Sequence, residues 1–258
     1  MGGGDETRLS RRGLLRAGLA TIGAAAAAGC SAPAVPSAAP AAPAAATPRP
    51  SPTPTPARTG PATEIERAGS GRPEVALTFH GAGDLDLARK VLTEFHDRGA
   101  AVTVLAVGTW LQQYPDAAKM VTDLGHELGN HTWSHPDLAA LGEAGIRAEI
   151  EKCRDRIAAL TGGPGDFFRP SQAQHATAEV RKLAGAAGYP KVLSYDVDSR
   201  DFTDPGVTAI RHYIAAAGPG SVVSMHLGHP GTLAAVPGIL DDLAARGLTP
   251  VTAGRLFA

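Results

Sequence analysis

His131-Thr132-Trp133-Ser134-His135 sets two imidazoles four residues apart. That spacing lets both rings face one point, on a helical turn or at the mouth of a tight loop. Neutral imidazole is the commonest protein ligand for zinc and its first-row neighbours. An isolated pair of this kind is more often ordinary polar surface, so its meaning depends on what else converges on it. His80, Arg169, Asp196, Asp198, Asp201 and His226 each stand just past an apolar run of strand length. Scattered surface residues have no reason to fall so consistently at strand ends.

The runs that deliver these residues are Val75–Phe79, Ala101–Ala106, Glu127-Leu128, Phe167-Phe168, Lys191–Tyr195, Ser221–Met225 and Thr249–Val251. Helical patterns over 85–98, a stretch ending at 124, and 143–160, 177–187, 205–217 and 233–246 alternate with them,. Strict alternation means a parallel sheet. In a parallel β/α barrel the carboxyl ends of the strands share one face, where active sites sit. The globular part is short for an eightfold barrel, which typically needs about 250 residues. No Gly-x-Gly-x-x-Gly follows the first strand, so a dinucleotide-binding sheet loses its main support.

Composition bounds the partners. At 43% hydrophobic residues there is ample material for a core, and a net charge of −1 offers no basic face for nucleic acid,. The 21 prolines are concentrated towards the front. Residues 1–30 read as an export signal: Ser10-Arg11-Arg12-Gly13-Leu14-Leu15 is a twin-arginine pattern, and an Ala-rich run too short to span a membrane follows it,. That run ends at Ala27-Ala28-Gly29-Cys30, which resembles a lipobox with Ala27 where Leu is more usual. The expectation is lipidation of Cys30 and attachment to the outside of the cell membrane, with simple secretion as the other outcome. Residues 31–68, rich in Pro, Ala, Thr and Ser, read as an extended disordered tether,. The domain proper is expected over 69–258, as a monomer. Cys153, left unpaired, reads as a small core residue,.

With these motifs in place, the chain from about Pro73 to Leu256 resembles the polysaccharide deacetylases of the NodB-homology type, carbohydrate esterase family 4. His131 and His135 match the family's metal-binding His-x-x-x-His. Phe168-Arg169-Pro170 matches part of its Arg-Pro motif, with Ser171-Gln172 where aromatic and Gly residues are usual. Asp198-Ser199-Arg200-Asp201-Phe202 resembles Asp-x-x-Asp-Trp, and Val223-Ser224-Met225-His226 the final strand motif. The resemblance implies a distorted (β/α) barrel with fewer than eight parallel strands. It also implies a divalent metal ion, zinc by ligand type, and a general acid at His226 partnered by Asp201.

The first motif departs from the pattern. The family carries Thr-Phe-Asp-Asp-Gly, whose first Asp is the catalytic base and whose second binds metal. Here the strand ends Thr78-Phe79-His80-Gly81-Ala82-Gly83-Asp84. Two assignments stay open: His80 as third ligand with Asp84 as base, or Asp84 folded back as ligand with His80 as base. Arg169, whose family counterpart steadies the missing Asp, is expected to find another anion, Asp201 or Asp84, or to form a buried structural ion pair. Trp133 reads as sugar platform or core packing. His175 and His229 read as edge residues, and His96, His126 and His212 as solvated. The function implied is metal-dependent removal of acetyl groups from an N-acetylated (or O-acetylated) wall or extracellular polysaccharide. The alternative is a catalytically impaired relative that binds carbohydrate at the wall.

Overall fold

The computed structural model describes residues 60–258. The export signal, Cys30 and most of the expected tether lie outside the described residues. Among those described, no helix is long and apolar enough to cross a membrane.

The chain runs β1 (Thr63–Ile65), β2 (Glu74–Gly81), α1 (Leu85–Asp97), β3 (Thr103–Ala106), α2 (Gly108–Gln113), α3 (Asp116–Asp123) and β4 (Glu127–Asn130). It continues through α4 (Glu143–Thr161), β5 (Phe167–Phe168), α5 (Ala178–Ala186), β6 (Lys191–Leu193) and β7 (Val197–Asp198). The last elements are α6 (Val207–Ile214), β8 (Val222–His226), α7 (Pro230–Ala245), β9 (Thr249–Val251) and α8 (Ala253–Leu256). Hydrogen bonds order the strands β1-β6-β5-β4-β3-β2-β8-β7, with β9 against the start of β2, and all the strand pairs are parallel.

This is the expected distorted β/α barrel, with two short strands, β1 and β7, that the sequence pattern does not announce. Counting β1, the hydrogen-bonded path has eight members rather than fewer. The expected start of the domain at 69 also moves: Thr63–Ile65 pairs in register with Lys191–Leu193. The expected helix ending at 124 is broken into α2 and α3 at Tyr114-Pro115, where proline disfavours helix for the residue before it. Elsewhere local chemistry sets the ends as expected: Thr177 caps α5, and left-handed Gly162 closes α4,.

β1 and β7 are not paired with each other; a polar knot spans the gap. Arg67 bridges Ser221, its Nη1 lies 2.7 Å from Asp196, and Asp196 accepts from Val222 N–H at 2.8 Å and from Ser221 Oγ at 2.9 Å. Asp196 therefore works at the amino end of β8, away from the strand ends where a site would form.

Side-chain alternation explains the interior. On β2, Val75, Leu77 and Phe79 join the outer core, with residues of α1 and α7. Ala76 turns inward with Leu105, Phe167, Leu193 and Val222, an apolar plug completed by Val251, Ala253 and Leu256. Two residues further along the same strands, the interior becomes polar: Thr78 and Ser224 lie side by side in register. Two further again stand His80 and His226, also in register. Gly129 keeps the interior open beside β3, since a Cβ there would lie 2.7 Å from Leu105 Cδ1. The barrel is thus filled in layers: plug, polar rung, histidines.

Candidate functional site

His131 follows β4 directly and is fully buried. Its Nδ1 lies 3.0 Å from Arg169 O, so that nitrogen carries the proton and donates. Its Nε2 is buried with no hydrogen-bond partner among the described residues, a free lone pair aimed away from water. Thr132 and His135 take left-handed backbone (φ 67° and 61°), and this tight loop, not a helical turn, brings the second ring round. The ring centroids of His131 and His135 are 4.8 Å apart, and those of His80 and His131 4.3 Å. One ligand atom from each of His80, His131 and His135 lies within 4.8 Å of the others.

Burial, then the charge of neighbouring rings, lowers the pKa of His80 and His131 well below the imidazole range. Burial lowers that of His135 as well. Three neutral imidazoles with an orphaned inward nitrogen are a donor set that fits a divalent borderline metal such as zinc. Of the two open assignments, the geometry favours His80 as the third member.

The second half of the site is a dyad. His226 Nδ1 lies 2.7 Å from Asp201 Oδ1. Asp201 is fully buried, and its Oδ2 accepts from His226 N–H at 2.8 Å and from Thr232 Oγ1 at 2.6 Å. Burial alone would raise this carboxyl, but the hydrogen bond and charge of His226, with the Thr232 hydroxyl, outweigh it and hold it below the usual range. Nδ1 is thereby fixed to Asp201, leaving Nε2 as the ring's working nitrogen. The His80 ring lies between the groups, 4.3 Å from His226 by centroids. Phe202, 48% exposed, flanks the dyad with its ring 5.2 Å from that of His226.

Two expectations fail. Asp84 does not fold back: it is exposed, and its carboxylate caps α1 by accepting from Leu87 N–H at 2.8 Å. The glycines before it serve packing, since Gly83 (φ 98°) lies so close to Gly228 that a Cβ would approach its Cα to 2.6 Å. Among the described residues Arg169 finds no anion. Fully buried, it donates from Nε to Leu193 O (2.7 Å) and from Nη2 to Thr78 Oγ1 (2.8 Å), with Nη1 unpartnered. Burial pulls its pKa down to about 9. It is a cationic strut joining β2, β5 and β6, and its charge adds to what keeps His80 neutral. Asp201 could not have served it, because His226 and Thr232 occupy that carboxylate.

Gly81 settles a further point. A Cβ there would lie 2.7 Å from Val104 Cγ1 and 3.0 Å from Ala106 Cα. A side chain at this position requires Val104 and the β3 backbone to give way.

The remaining histidines divide. His175 is exposed beside Glu64 and Glu66, and His229 faces Asp204 at the rim. His96 and His212 are exposed, but His126, expected in solvent, is buried, with Nε2 bonded to Leu92 O at 2.9 Å. Trp133 packs on the core with its ring against Gly108, and Lys152 Nζ stands 4.0 Å over it. Cys153 is buried as expected, and burial pushes its thiol up to about 12. Sequence reasoning missed Ser224, whose Oγ lies 3.3 Å from His80 Nε2, and Thr232. Strand alternation two residues before His226 would have found Ser224. Nothing local marks Thr232.

The family model for polysaccharide deacetylase matches residues 67–192. A peptidoglycan-N-acetylglucosamine deacetylase of Bacillus cereus is 31% identical over 188 residues, 71% of this chain and 87% of that protein. A chitooligosaccharide deacetylase of Sinorhizobium fredii is 28% identical, over 64% of this chain and 77% of its own length. Among solved structures, a family 4 carbohydrate esterase of Streptomyces lividans in complex with acetate superposes with a TM-score of 0.65 at 30% identity, covering 69% of this chain and 91% of that one. A mutant, with restored enzymatic activity, of a CE4-family pseudoenzyme of Bacillus anthracis superposes with a TM-score of 0.71 at 25% identity, covering 75% and 71%. The fold, the His-x-x-x-His loop and these relatives agree, and the chain belongs to the NodB-homology polysaccharide deacetylases, carbohydrate esterase family 4.

Proposed function

We propose that this domain is a divalent-metal-dependent deacetylase that hydrolyses acetyl groups, N-linked in the first instance, on a cell-envelope polysaccharide such as peptidoglycan. The observation that carries the reading is the Asp201–His226 dyad standing in strand register beside the three-histidine group. A wall-binding module has no use for a buried carboxylate spent on orienting one imidazole.

His80, His131 and His135 would hold the ion, with Arg169 O and Ser224 Oγ fixing two of the rings from behind,. A divalent metal there would supply Lewis acidity for the acetyl carbonyl and make water more acidic. With His80 engaged and Asp84 capping a helix, His226 is the side chain left to move protons. Its Nε2 takes the proton of the attacking water as the C–O bond forms, and returns it to the nitrogen as the C–N bond breaks. Acetate and a free amine result. Asp201 holds the imidazolium between the two transfers. Phe202 offers an apolar ring on which a sugar face can rest.

The second reading, an impaired relative that binds polymer without turnover, has one specific observation in its favour: neither carboxylate of the first motif has a replacement at the site. Its relation to a CE4-family pseudoenzyme points the same way. Export and lipidation at Cys30 belong to the proposal on the strength of the sequence motif alone.

Metal content and acetate release from N-acetylated oligosaccharides separate the readings. The deacetylase reading expects bound zinc in the parent, its loss in His131→Ala and His80→Ala, and no change in Asp84→Ala. Asp201→Asn should lower turnover by about 100-fold or more, the scale of acid–base catalysis. Metal retention without acetate release would establish the second reading, and a parent that binds no metal would sink the first.

A further inference from the structure

The loop that carries His135 is strained. Thr132, a β-branched residue, and His135 both hold left-handed backbone, a conformation that persists only where the surroundings over-determine it. Several groups do so. Thr132 O and Trp133 O accept from Gly108 N–H (3.0 Å) and Thr109 N–H (2.8 Å). On the far side, Gln172 Nε2 donates to His135 O at 3.0 Å and Ser171 Oγ to Pro136 O at 2.5 Å. Ser171 and Gln172 are the residues that depart from the family's Arg-Pro motif, and here they fasten the loop.

At the tip, a single carboxylate takes both donors of one residue. Glu149 of α4 accepts from Ser134 N–H through Oε2 and from Ser134 Oγ through Oε1, each at 2.8 Å. Hydrogen bonds to an ionised acceptor are roughly twice as strong as neutral ones. Among the described residues Glu149 makes no salt bridge. Both its oxygens are spent on this loop. Ser134 is the residue immediately before His135, so the bond at its amide restrains the turn that aims the ring.

We propose that Glu149 is a positioning residue for the metal-binding loop, a latch that holds the Ser134–His135 turn in its left-handed form and so keeps His135 within reach of His80 and His131. The latch itself rests on the loop geometry; its reading through metal affinity rests on the proposed function.

The test uses the full chain and two probes, zinc affinity by chelator competition and the visible absorption of bound Co2+. Glu149→Ala should weaken zinc binding by about 10- to 100-fold, the effect typical of removing an outer partner of a ligand, and should change the Co2+ band. Glu149→Gln should recover most of that loss, because its amide oxygen accepts from Ser134 N–H while its NH2 donates to the hydroxyl. In a His135→Ala background, Glu149→Ala should cost nothing more, as expected for a residue that acts through His135. Unchanged affinity in Glu149→Ala overturns the latch, and so does an equal loss in the His135→Ala background. A parent that binds neither ion would defeat the metal reading instead. The latch is then judged by amide hydrogen exchange of residues 132–135, which must quicken in Glu149→Ala; if it does not, the latch is wrong.

Discussion

At the scale of single residues, His80 changes the charge balance of the site. Where the family motif has two carboxylates, this chain brings a neutral ring beside a buried guanidinium that, among the described residues, has no anionic partner. The consequence for stability has a definite sign. Burial holds the folded pKa of His80, His131 and His135 below the ordinary value, so the unfolded chain takes up protons first,. The metal-free protein should be fully stable above about pH 6.5 and lose stability as the pH falls below it, where unfolded imidazoles become charged. Asp201, also held low, adds a second loss below about pH 4,. A thermal midpoint that stays flat from about pH 8 to about pH 5 would contradict this. The pair His131/His135, the dyad and Arg169 were legible as motif residues because each stands at a strand end. What Asp84 and Arg169 touch was not. Asp84 is a short step along the chain from His80, but helix α1 claims its carboxylate. Arg169 donates to the Leu193 carbonyl of β6 and the Thr78 hydroxyl of β2, partners that no motif encodes.

At the scale of elements, strand alternation does most of the positioning. Ala76-Thr78-His80 and Val222-Ser224-His226 climb the inner wall in step, so a one-residue slip of either strand would turn its histidine outward,. That much could be read from the sequence, since period-two alternation needs no tertiary information. The closing seam could not, because β1 and β7 are too short to show a pattern. The seam depends on Asp196, which holds Arg67, Ser221 and the start of β8 at once. Asp196→Ala leaves the Val222 amide and the Ser221 hydroxyl without their carboxylate acceptor, and should cost about 1–3 kcal/mol. Urea unfolding would measure it. Because the seam lies at the amino end of the barrel, the His80–His131 site should retain its metal affinity in that variant, a dissociation a general loosening would not give.

At the scale of the molecule, the barrel begins before its composition says it does. Thr63–Ile65 supplies the strand beside β6, Ser194 N–H donates to Ile65 O at 2.8 Å, and Arg67 ties the seam. A protein cut to residues 69–258, the boundary that proline content suggests, loses all of this and exposes the edge of β6. It should unfold several degrees below one beginning at Gly60, an edge-strand loss of a few kcal/mol shifting a midpoint by about 2–4 °C per kcal/mol at this size. Equal midpoints for the two would refute that role for β1.

β1 runs parallel to β6, with Thr63 opposite Lys191, so the chain arrives at the floor of the barrel while the histidines open at its roof. The first described strand and the mouth lined by histidines therefore occupy opposite poles of the domain. A pull applied at Gly60 along β1 would load its hydrogen bonds to β6 side by side, in shear, the direction in which a strand pair resists best.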